Sequence, residues 1–95
     1  MRPHFVLPGK VYLVGAGPGS AKLLTLRAVE VLRAADLVLH DDLVSEEVLG
    51  TIPSRVAVQS VGKRCGVKKV SQENIHSRMI SAARSGQAVI RLKGG

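Results

Sequence analysis

The first stretch able to hold a ligand is Val11-Tyr12-Leu13-Val14-Gly15-Ala16-Gly17-Pro18-Gly19-Ser20, an apolar run that breaks into glycines. Glycine lets the backbone bend tightly and approach a bound molecule closely. In open α/β sheets, ligands lie just beyond the carboxyl ends of strands. Pro18 stiffens the turn and removes one backbone donor. The spacing excludes a phosphate-gripping P-loop: counted from Gly15, Ser20 stands where that motif needs a glycine, and Ala21 where it needs lysine. A dinucleotide fingerprint fits Gly15 and Gly17 and then also meets Ser20, with Asp41 or Asp42 at the distance of a ribose-binding acid. Two further groups follow apolar runs. Asp41 comes after Leu37-Val38-Leu39, and Lys63 after Val56-Ala57-Val58. If these runs are strands, both groups share the sheet edge of the glycine turn. Taken alone, Asp41 reads rather as a turn cap before a helix opening at Ser45, and Lys63 as a solvated lysine. Asp42 is a neighbour without a role, and Cys65 reads as a small loop residue rather than a nucleophile.

Positioning these groups falls to alternating strands and helices. Residues 1–9 form a lead with two prolines, followed by a strand over Val11–Val14. That strand is apolar throughout, as expected for one covered on both faces. Leu24, Ala28, Val31, Leu32 and Ala35 then mark one face of a helix, with Ser20 as its N-cap. Leu37–Leu39 reads as a second strand, Ser45–Leu49 as a short helix closed by Gly50, and Val56–Val58 as a third strand. After a basic loop, Ser71 caps a helix whose apolar face is Ile75, Met79, Ile80, Ala82 and Ala83, ended by Gly86. Ala88–Leu92 is a fourth strand. This βαβαβαβ order predicts an α/β fold with a mainly parallel sheet and helices on both faces. A last strand followed only by Lys93-Gly94-Gly95 suggests a longer chain, with a domain over 10–95 that is incomplete at its C-terminal end.

At 95 residues and 45% hydrophobic, the chain suffices for one core. Mean hydropathy is +0.18, and no apolar run approaches the roughly 20 residues that span a bilayer, so no membrane partner is expected. The first residues lack the long apolar region of a signal peptide. A single Cys65 fits a reducing cytoplasm. One cysteine and three scattered histidines give no metal-ligand spacing. The net charge of +7 suits either an anionic partner or a soluble surface that is merely basic. With 2% aromatics, stacking on single-stranded nucleic acid is disfavoured.

Several segments in order and spacing resemble the tetrapyrrole methylase family. They are residues 11 to 19, Leu24-Thr25-Leu26, Ala35-Asp36-Leu37-Val38-Leu39-His40-Asp41, Leu43-Val44-Ser45, Val61-Gly62-Lys63-Arg64, and Val89-Ile90-Arg91-Leu92-Lys93-Gly94-Gly95. The resemblance runs from Lys10 through nearly the whole chain. It implies the N-terminal domain of a two-domain enzyme that binds S-adenosylmethionine in the cleft between its domains. Pro18 matches a position that contacts this cofactor. Gly94 and Gly95 match the start of a Gly-Gly-Asp-Pro loop that holds its methionine part. Asp41 matches the residue assigned as proton acceptor, and Lys63 the proton donor. Relatives usually carry Tyr where His40 stands, which bears on how Asp41 is oriented. Where relatives often open a helix with Pro, Ser71 or Gln72 stands here, and serine caps well.

The activity so implied is C-methylation of uroporphyrinogen III to precorrin-2, through precorrin-1, toward sirohaem and cobalamin. A sibling acting on a later corrin precursor is the neighbouring alternative, and a basic RNA-modifying module a more distant one. The implied partners are a small tetrapyrrole and a second copy in a homodimer, without nucleic acid. Such a substrate is a polycarboxylate, which gives the basic loop a use. Arg64, Lys68 and Lys69, with Arg55, are candidates to steer and clamp it.

Overall fold

The computed structural model describes residues 9–17, 19–62 and 71–94. Strands and helices alternate as β1 (Val11–Gly15), α1 (Leu26–Ala34), β2 (Leu37–His40), α2 (Glu46–Leu49), β3 (Ala57–Ser60), α3 (Gln72–Arg84) and β4 (Val89–Lys93). The strands form one sheet in the order β1-β4-β2-β3, and every pairing is parallel. β4 is therefore inserted between β1 and β2, with Val89 in register with both Val11 and Leu37.

Side-chain alternation sorts the core into two layers. On one face Val38, Ile90 and Leu92 pack with Val31 and Leu32 of α1 and Val48 of α2. On the other, Leu37, Leu39 and Val89 pack with Ile75, Met79 and Ala82 of α3. The handedness of parallel crossovers explains this division. The chain steps across the sheet from β1 to β2 to β3 with its helices on one face, and returns to β4 with its helix on the other. Helices on both faces of a parallel sheet are what the alternating pattern implies.

Several local expectations are corrected. β1 is not covered on both faces: it lies at the sheet edge, with Leu13 76% exposed. Only Tyr12 and Val14 pack, half-buried, against the α1 layer. The inner place that an apolar strand suggests is taken by β4. Between β1 and α1 runs a groove of about 350 Å³ lined by Leu13, Gly15, Thr25, Arg27 and Ala28 among others.

The first helix also starts later than its apolar spacing suggests. Ser20 caps only a 3-10 turn, Ala21–Leu23, accepting the Lys22 N–H at 3.3 Å. Thr25 is the N-cap of α1 and accepts the Ala28 N–H at 3.0 Å. Leu24 packs on the core from outside the helix. In α3 Ile80 is exposed, one position round from the buried Met79. β3 begins at Ala57, because the Val56 N–H is turned to Pro53 O.

Candidate active site

The five residues Asp41–Ser45, between β2 and α2, touch the exits of all three other strands. For β4 and β3 this follows from the sheet order, because β2 lies between them. Toward β4, the Gly94 N–H donates to the Asp41 carboxylate, at 3.1 Å to Oδ1 and 3.2 Å to Oδ2. Oδ1 also accepts the Leu43 N–H at 3.0 Å, closing a local turn. The Gly94 Cα lies so close to the loop that a Cβ there would fall 2.3 Å from the Leu43 carbonyl carbon. Toward β3, a Cβ on Gly62 would fall 2.5 Å from Asp42 N. Toward β1, the Ser45 hydroxyl donates to Gly19 O.

The glycine turn stands beside Gly94. The Ala16 N–H donates to Lys93 O at 2.7 Å, so the two glycine stretches leave the sheet side by side. Gly17 and Gly19 have φ of 74° and 124°, in the region that disfavours side chains. An added Cβ at Gly15 or Gly19 would meet nothing within 4 Å. At Gly15 and Gly19 the backbone thus faces open space, which a flat or extended ligand can approach closely.

Connections also mark a candidate crevice. β2 leads to α2 on one face of the sheet, and β3 leads to α3 on the other. Ligands of open α/β sheets collect at such a switch, outside the carboxyl ends of the strands. Asp41, Asp42 and Gly62 flank it. His40 is buried beneath Asp41, with its Nδ1 2.9 Å from Asp41 O, so the ring is oriented by the backbone of the residue it precedes. The hydroxyl of Ser60, in register with His40, is buried and has no hydrogen-bond partner among the described residues.

Of the site residues expected from sequence, Asp41 and Gly94 are brought into direct contact. Asp41 closes a turn at Leu43 rather than capping α2, whose cap is Ser45, and its carboxylate also reaches Gly94 after β4. Gly94 has its N–H committed to Asp41, so a ligand contact from this residue must use its Cα or carbonyl. Pro18, Lys63, Arg64, Cys65, Lys68, Lys69 and Gly95 lie outside the described residues. Arg55 is corrected. Its guanidinium donates to Ala35 O at 3.2 Å and to Arg33 O. These carbonyls end α1 and precede β2, at the amino edge of the sheet, opposite the glycine turn.

Two side chains were missed. Besides Ser45, Glu47 reaches the turn, its Oε2 accepting the Ala21 N–H at 2.8 Å. The partners lie 26 positions apart in each case, and the sequence carries no local sign of either contact. Among the described residues no cluster of side chains could hold a metal ion, and no helix is long and apolar enough to cross a membrane.

These features define an open parallel α/β unit whose site is built from strand-exit loops, two of them glycine-rich. A model of the family described as Tetrapyrrole (Corrin/Porphyrin) Methylases matches residues 10–95, and the chain belongs to that family. It is 51% identical, over 92% of its length, to a uroporphyrinogen-III C-methyltransferase of Paracoccus denitrificans, of which it covers 30%. Among solved structures it is similar to a uroporphyrin-III-C-methyltransferase from Thermus thermophilus, with a TM-score of 0.78 and 47% identity, over 92% of this chain and 35% of that one. A Thermus thermophilus structure of this kind complexed with S-adenyl homocysteine matches with a TM-score of 0.74 and 46% identity, over 90% and 35%. The chain thus spans about a third of these relatives.

Proposed function

We propose that the protein containing these residues is an S-adenosylmethionine-dependent methyltransferase that converts uroporphyrinogen III to precorrin-2 by two successive C-methylations, in sirohaem and cobalamin biosynthesis. Residues 10–95 form part of its N-terminal α/β domain. The observation that carries this reading is the union of Asp41 with Gly94 beside an uncovered glycine turn. A carboxylate for proton chemistry and a bare backbone wall for a cofactor then stand on one sheet edge. Support comes from relatives near half identity that carry the uroporphyrinogen-III methyltransferase name. The relative complexed with S-adenyl homocysteine adds to it.

The residues present fit the cofactor. Gly15, Gly17 and Gly19 leave room against the backbone, and Pro18, Gly94 and Gly95 are the proposed contacts. When bound, the cofactor supplies an electrophilic methyl group on a sulfonium. The protein's part is to orient the attacking carbon in line and to exclude competing nucleophiles. The pyrrole carbon that takes the methyl already carries an acid side chain, so methylation leaves a cation that must lose a proton from a ring nitrogen or a neighbouring carbon, and rearranging the remaining protons calls for a donor. Asp41 is the proposed acceptor, with lone pairs left beyond its two backbone donors, and Lys63 the proposed donor. Arg64, Lys68 and Lys69 are proposed to clamp the substrate carboxylates, Arg64 by paired hydrogen bonds. The working unit is proposed to be a homodimer in the cytoplasm.

Calorimetry of the full-length protein with S-adenosylhomocysteine, followed by a methylation assay with uroporphyrinogen III, tests the reading. Binding and a doubly methylated product are expected. Absence of binding overturns it, and turnover only with a later corrin precursor reassigns the substrate. Replacing Lys68 and Lys69 by Ala should raise KM for the tetrapyrrole in a salt-dependent way. An unchanged KM at low ionic strength removes the clamp.

A further inference from the structure

We propose that Ser45 and Glu47, at the head of α2, are positioning residues that lock the exit of the glycine turn in its ligand-ready shape. The inference rests on reading that turn as the cofactor wall. A turn built on Gly15, Gly17 and Gly19 has wide backbone freedom and few side chains with which to hold itself. It is tied at its entrance by the Ala16 N–H to Lys93 O. At its exit, α2 supplies side chains on both sides of Ser20: Ser45 takes the Gly19 carbonyl, and Glu47 takes the Ala21 N–H.

The chemistry of each group suits the task. The Ser45 oxygen accepts the Val48 N–H at 3.2 Å, as the N-cap of α2. A hydroxyl has one proton to give, and here it goes to Gly19 O. One side chain thereby joins the start of α2 to the turn. Glu47 places a carboxylate on the first N–H of the 3-10 turn Ala21–Leu23, where a negative charge is favoured. Asp41 and Ser45, at opposite ends of one short loop, hold Gly94 and Gly19 respectively. The two glycine walls, already joined by the Ala16 N–H to Lys93 O, are therefore joined a second time through this loop.

Glu47 is exposed, so its replacement tests the idea without disturbing the core. In the full-length protein Glu47→Ala should speed amide exchange at Ala21 and weaken S-adenosylhomocysteine binding about tenfold, the loss of roughly one charge-assisted hydrogen bond. KM for the tetrapyrrole and the unfolding midpoint of the free protein should stay as in the wild type. Glu47→Gln keeps an acceptor oxygen and should restore binding to within about threefold. Ser45→Thr keeps the hydroxyl and should bind better than Ser45→Ala. If Glu47→Ala binds as tightly as a wild type that binds well, the positioning role is wrong and the cofactor reading stands. Failure of Glu47→Gln to rescue also overturns it. A wild type that does not bind overturns the cofactor reading, and this proposal with it.

Discussion

The Gly94 amide and the Asp41 carboxylate, 53 positions apart in the chain, form a forked hydrogen bond, with its arms at 3.1 and 3.2 Å. Through it the proposed proton acceptor and the proposed cofactor loop share one position. Removing the carboxylate therefore does two things at once, and the choice of replacement separates them. Asp41→Asn keeps an oxygen able to accept the Leu43 and Gly94 N–H groups but abolishes the base. Asp41→Ala abandons both bonds. We expect Asp41→Asn to lose about 1 kcal/mol of stability or less, and Asp41→Ala about 2 kcal/mol. Turnover of Asp41→Asn should fall at least about 100-fold with little change in S-adenosylhomocysteine affinity. Equal losses in turnover and affinity would assign Asp41 to structure alone. Denaturant melts and calorimetry on the same samples supply both numbers.

Gly94→Ala meets an obstacle that cannot rotate away. Its Cβ would sit 2.3 Å from the backbone carbon of Leu43 and 2.5 Å from the Val44 nitrogen. The loop that carries Asp41 must shift, at a cost of about 2 kcal/mol or more. Cofactor binding should be lost together with stability. Gly62→Ala presses on Asp42 in the same manner and should cost a similar amount. Thermal melts of the two variants check this, and a wild-type midpoint for either would contradict the close approach.

The late start of α1 makes a differential prediction. Thr25→Ala removes the N-cap of a nine-residue helix and should cost about 1 kcal/mol. Ser20→Ala removes a longer bond from a three-residue turn and should cost about 0.5 kcal/mol or less. Urea denaturation of the pair decides between this arrangement and a single helix capped by Ser20, for which the order of the two losses would be reversed.

Arg55 offers a control for the substrate clamp. Because it holds the Ala35 and Arg33 carbonyls at the far edge of the sheet, Arg55→Ala should lower stability by about 1 kcal/mol. KM for the tetrapyrrole should be unchanged across the salt range in which substitutions at Lys68 and Lys69 raise it. A salt-dependent rise in KM for Arg55→Ala would return it to the substrate path.

The legibility of this molecule in its sequence follows the range of the forces involved. The run Leu37-Val38-Leu39, the capping Ser71 and the left-handed Gly86 act within a few residues, and their elements stand where expected. Asp41 was legible as an edge carboxylate because strand ends are set locally. Its partner Gly94 was legible as a site residue only through family resemblance, and their bond depends on β4 being inserted beside β2. That insertion is a long-range choice that hydrophobicity does not encode. The same gap hid the exposure of Leu13 and the reach of Ser45 and Glu47 across 26 positions. Thr25 was hidden differently. Leu24 sits on the core and fits the helical period, so it masks a cap immediately after it.

β1 has one further consequence, for handling the 95-residue polypeptide on its own. Among the described residues no strand pairs with the outer side of β1, and Val11 and Leu13 stand exposed there. An open edge of this kind invites pairing with another chain. Prepared alone, the polypeptide is exposed to strand-to-strand self-association and loss from solution. A charged residue in place of Leu13, which no core layer contains, is the mildest change that opposes it.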